Sequence, residues 1–141
     1  MSDLCNPIPG FGLPPSLDDI ARMAERAMTT IPPGLAHHVH NIAIAVHDRA
    51  DPDTLDALGI ESVWELTGLY HGTPLTERSV MDVARQPEMI FLYREPILLE
   101  WIETGEDLYR LVRSVVIHEV AHHFGFSDAD IAAIEQGLEQ D

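Results

Sequence analysis

Apolar residues recur at helical spacing from Leu17 through Ile20, Ala21, Ala24, Ala27 and Met28, with charged and polar residues between them. Positions three and four apart share one face of a 3.6-residue helix, so this stretch predicts a single amphipathic helix. Ser16 followed by Asp19 is a capping-box start, and Pro32-Pro33-Gly34 stops the helix. The Pro- and Gly-rich run NPIPGFGLPPS ahead of it predicts an extended lead-in over residues 1–15.

The period then changes. NIAIAVHD alternates apolar and other residues and is rich in β-branched side chains, which predicts a strand from Val39 to His47. TLDALG predicts a helical turn. VWELTGLYHGTPLTERS mixes a short strand around Leu66 to Tyr70 with Gly72, Pro74 and polar residues, and is expected to be mostly a long surface loop. MIFLYR, Met89 to Arg94, predicts a second strand. A short helix over Glu95 to Glu103 ends at Gly105.

From Glu106 to Phe124 Leu108, Leu111, Val112, Val115, Val116, Val120 and Phe124 spread around most of a helix circumference, which predicts a buried helix. Gly125 stops it, and Ser127 with Asp130 offers a capping box for a last helix through Leu138. No repeat interrupts the pattern.

At 141 residues the chain is the size of one domain, and its 45% hydrophobic and 23% charged residues are the balance of a packed globular protein. Eight basic and twenty-four acidic residues give a formal charge of −16, which repels phosphate backbones and anionic lipid and so disfavours nucleic acid and membrane as partners. The single cysteine, Cys5, excludes an internal disulfide, and MSDLCNPIPG has no secretory pattern, so a cytoplasmic location is expected.

The chemistry concentrates in IHEVAHHFGFSD, Ile117 to Asp128. His118 and His122 lie one helical turn apart on the same face, where both imidazoles can bind one ion. Glu119 sits about 100° around the helix, beside such an ion without ligating it, where a general base is wanted. A purely structural reading has to bury three polar residues in an apolar helix, at a cost of about several kcal/mol for an unpaired glutamate. After the Gly125 turn the chain can reverse, so Asp128 can serve as a third ligand, leaving the open position that a catalytic zinc needs. Asp128 also suits the first turn of a helix by its charge alone, and Glu135 on the last helix is the rival ligand.

HEVAHHFGFSD resembles the HExxHxxGxxD form of the extended zinc-binding motif of zincin metallopeptidases. With GLYHGTPL and IFLYREPI, the chain is similar to a family of small bacterial zincin-like zinc metallopeptidases over most of residues 15 to 138. The resemblance implies a minimal α+β zincin-like fold, a small mixed sheet with an active-site helix and supporting helices. It also implies His118, His122 and Asp128 as zinc ligands, Glu119 as general base, and a peptide or protein substrate. Metzincins carry a third histidine where Asp128 stands and a methionine turn downstream, and no methionine follows Met89, so that class is not indicated.

Two other readings fit the same residues. One is a non-catalytic zinc-binding interaction module with its open position filled. The other is a different metal hydrolase such as an endoribonuclease, whose ligands share the 0, 4, 10 spacing but lack the glutamate and meet the obstacle of the acidic charge. Peptide deformylase also uses HExxH, but with a cysteine from a motif absent around Cys5. Acidic walls would favour basic peptides. His37, His38 and His40 form a polar lead-in to the first strand or a second metal site. Tyr70 and His71 are candidate substrate contacts on a loop, and His123 faces away from the His118–His122 side. A shallow cleft, or one covered by the loop around residues 71–87, is expected.

Overall fold

The computed structural model describes residues 12–36, 42–72 and 88–139. The His37, His38 and His40 cluster, Cys5, the first part of the lead-in and most of the 71–87 loop lie outside the described residues.

Helix α1 spans Leu17–Met28, and its capping box forms as the sequence predicts: the Asp19 N–H donates to Ser16 Oγ at 3.0 Å and the Ser16 N–H to Asp19 Oδ2 at 2.8 Å. It buries Ile20, Ala24 and Ala27, one stripe of its circumference. A single turn, α2, covers Pro33–Ala36. Strand β1 runs Ile42–His47, the described part of the predicted Val39 to His47 strand. TLDALG belongs to a real helix, α3 at Pro52–Leu58, started by Asp51 accepting from the Thr54 N–H at 2.7 Å.

Of the segment expected to be mostly surface loop, the described part, residues 63–72, holds regular structure. A 3₁₀ turn at Val63–Glu65 leads into strand β2, Gly68–His71. Strand β3, Glu88–Tyr93, runs parallel to β1 with Ile44 opposite Ile90, and antiparallel to β2 with Tyr70 opposite Ile90. Among the described residues the sheet is therefore mixed, in the order β1-β3-β2, with β2 at its margin. Strand β2 is the short strand expected around Leu66 to Tyr70, shifted towards His71, with its bounds fixed by pairing with β3.

Helices α4 (Arg94–Thr104), α5 (Leu108–His123) and α6 (Asp128–Glu139) complete the α+β fold. Gly105, at φ 70°, ends α4 where the sequence placed the stop. Period-two alternation sorts β3 between two layers. Ile90 and Leu92 point into the main core with Ile20, Val112, Val116, Ile117 and Val120, whereas Tyr93 joins Ala50 and Leu66 in a smaller cluster. Helix α5 is less enclosed than its apolar content implied. Arg110, Ser114, His118 and His122, four residues apart in turn, form a stripe that escapes full burial and along which α6 packs. The histidines thus sit on a partly open polar edge of the helix.

Candidate metal centre on helix α5

The helix and its reversal are built from local signals. Asp107 caps α5 by accepting from the Arg110 N–H at 3.1 Å. At the other end, the Gly125 N–H donates to the His122 carbonyl at 3.0 Å and the Phe126 N–H to that of Ala121 at 2.9 Å. This is the Schellman arrangement, and it needs the left-handed conformation that Gly125 adopts at φ 84°. Ser127 and Asp130 then close the predicted capping box, with the Asp130 N–H on Ser127 Oγ at 3.2 Å and the Ser127 N–H on Asp130 Oδ2 at 3.1 Å. These hydrogen bonds hold the Asp130 carboxyl below its ordinary pKa. The turn sends α6 back along α5, with Asp128 at its start and Glu135 two turns on.

His118 and His122 present their rings from consecutive turns, centroids 6.2 Å apart, and both side chains are about half exposed, at 45% and 51%. His118 Nε2 lies 3.3 Å from Glu135 Oε1, and His122 Nε2 lies 3.3 Å from Asp128 Oδ1. The structure therefore brings both candidate carboxylates to the histidine pair, one to each ring. Glu135 is the more committed of the two, because its Oε1 also accepts from the Ser114 hydroxyl at 2.8 Å. Asp128 is 92% exposed.

Among the described residues no three His, Cys, Asp or Glu side chains close on a common point. Two imidazoles and two carboxylates are nonetheless a donor set whose chemistry suits a nitrogen- and oxygen-binding metal such as zinc.

Glu119 takes a different direction from its histidine neighbours. It faces β2, where its Oε1 accepts from the Tyr70 N–H at 3.2 Å. Burial pushes its carboxyl above the ordinary range, against the opposing pull of the Tyr70 N–H and of His122 and His118. The Tyr70 N–H on an edge strand thus steadies a desolvated carboxylate one helical step from the histidines.

Tyr70 and His71 lie on this strand rather than on a loop. His123 faces away from the histidine pair, stacked against the Tyr70 ring at 3.7 Å between centroids. Sequence reasoning missed Glu88, which stands at the head of β3 beside Tyr70 and His123. A signal for it existed: alternation places residue 88 in phase with the core positions 90 and 92, where an acidic side chain is out of character.

A small mixed sheet backed by a helix that offers two histidines and an intervening, half-buried glutamate is the architecture of a zincin-like protein. The chain belongs to the zincin-like metallopeptidase family, whose sequence profile matches residues 39–138. A comparison with curated proteins returned no match. Among the described residues no helix is long and apolar enough to cross a membrane.

Proposed function

We propose that this protein is a zinc-dependent peptidase, with His118, His122 and Asp128 holding the metal and Glu119 acting as general base. The observation that carries the reading is the division of labour on α5: two half-exposed imidazoles on one edge, and between them in sequence a half-buried carboxylate turned towards β2. Zinc, when bound, supplies a Lewis acid that polarises a scissile carbonyl and acidifies water. Glu119 Oε1 is engaged by the Tyr70 N–H, which leaves Oε2 to take a proton from the attacking water and return it to the leaving amine. Burial raises the proton affinity of that carboxylate, which favours its taking up a proton. Asp128 is preferred over Glu135 because Glu135 already serves Ser114. The acidic surface, at a formal charge of −16, favours basic peptides.

A second reading follows from the same contacts. If Glu135 and Asp128 both ligate with the two histidines, the four-coordinate site has no open position and the protein is a zinc-stabilised binding module.

Metal content measured by elemental analysis, with cleavage of a mixed peptide library, separates the two. Stoichiometric zinc, lost in His122→Ala but kept in Glu119→Gln while cleavage disappears, supports the peptidase. Zinc without turnover supports the closed module, and absence of zinc rejects both.

A further inference from the structure

Behind the face that carries His118 and His122 lie three side chains that the proposed chemistry does not use. Glu88, 9% exposed, is the buried charged residue of the described structure, on the same side of β3 as Ile90 and Leu92. Its Oε2 accepts from the Tyr70 hydroxyl at 2.5 Å, and its Oε1 lies 3.9 Å from Nε2 of His123, whose side chain is 6% exposed. The Tyr70 ring lies on the His123 imidazole with the planes 16° apart. Space for this arrangement is made at Gly72, where a Cβ would come within 2.9 Å of Glu88 Cγ and 3.2 Å of Tyr70 Cε1.

His123 follows Glu119 by one helical turn, so both face β2. Tyr70 consequently grips α5 at two successive turns, by its ring on His123 and by its N–H on Glu119. Strand β2 has four residues and, among the described residues, pairs with β3 alone, so its own ladder does little to fix its distance from the helix. A carboxylate buried at the head of β3 costs stability unless it is hydrogen-bonded, and its bond to the Tyr70 hydroxyl ties the ring in place.

We propose that Glu88 is a positioning residue: through the Tyr70 hydroxyl it clamps β2 onto α5 and so keeps the Tyr70 N–H on the Glu119 carboxylate. The contact stands on geometry alone; its bearing on catalysis rests on the reading of Glu119 as the base.

The test uses the full chain and follows amide hydrogen exchange at residue 70 by NMR in Tyr70→Phe, Glu88→Ala and Glu88→Gln, with zinc content measured for each. Tyr70→Phe keeps the ring and loses only the hydroxyl, and Glu88→Gln keeps an acceptor for it. Losing the tie should speed exchange at residue 70 by about tenfold or more in Tyr70→Phe and Glu88→Ala, the size of one hydrogen bond to a charged group. The amides of Leu92 and Val116 should not change, and Glu88→Gln should stay near wild type. On a cleaved peptide the first two variants should lower kcat by about 10- to 100-fold at unchanged KM and zinc content, as for a misplaced catalytic group. Unchanged protection at residue 70 in Tyr70→Phe overturns the proposal, as does a fall in kcat that merely follows zinc content or folded fraction. If the wild-type protein cleaves no peptide, the base reading fails separately, and exchange alone then upholds or overturns the clamp.

Discussion

Replacing Gly68 by alanine tests how closely β2 must approach α5. A Cβ at residue 68 would lie 2.6 Å from Val115 Cγ1 and 3.4 Å from Leu92 Cδ2. Carbon atoms in contact sit at about 3.5–4.0 Å, so the new methyl is about 1 Å too close to Val115. Val115 cannot easily turn aside, because a β-branched residue in a helix strongly prefers one χ1 rotamer. The strand must therefore lift by a comparable amount. Tyr70 is two residues along the same strand, with its N–H donating over 3.2 Å to Glu119, and a lift of about 1 Å takes that contact beyond hydrogen-bond range.

Overpacking of this kind costs about 1–3 kcal/mol, and it should be read by urea denaturation of metal-free protein. Val115→Ala on its own should cost about 1 kcal/mol for the methyls removed from a partly buried site. The double variant should recover most of the Gly68→Ala loss, giving a coupling of about 1 kcal/mol or more in the double-mutant cycle. Additive costs, or a Gly68→Ala variant within about 0.5 kcal/mol of wild type, would refute the claim that glycine is there for this close approach.

Further outcomes follow from the same geometry. Because burial raises the folded-state pKa of Glu119, the metal-free protein binds that proton more tightly than the unfolded chain does. Its stability should then fall as pH rises from the ordinary carboxylate range through the raised value, and Glu119→Gln should remove that slope in denaturation curves taken across pH. Ser127→Ala breaks the cap of α6 and should cost about 1 kcal/mol in the same denaturation assay. In competition with a chelator, Asp128→Asn should weaken zinc binding by about 100-fold and Glu135→Gln by about tenfold, and the reverse order would make Glu135 the ligand.

Much of this molecule is legible without coordinates because its signals are short-range. The capping boxes at Ser16 and Ser127, the stops at Gly105 and Gly125, and the one-turn spacing of His118 and His122 involve residues no more than a few positions apart. Local hydrogen bonding and helical periodicity determine such features wherever the segment is placed. The apolar and aromatic run of MIFLYR likewise announced a strand, and the Gly125 turn made the return of Asp128 towards the histidines foreseeable.

What depended on the tertiary structure is how the polar groups are partnered. The Tyr70 N–H reaches Glu119 across 49 residues, and the Tyr70 hydroxyl reaches Glu88 across 18. Neither distance follows from spacing, since both require β2 to pair with β3 and then lie against α5. The assignment of Glu135 to His118 and Asp128 to His122 depends on how α6 packs, with Ile131, Ile134 and Leu138 against the shared core. Even the exposure of the histidines was decided there. A helix with apolar residues on most sides reads as buried from composition, and only the packing of its neighbours shows which edge stays open.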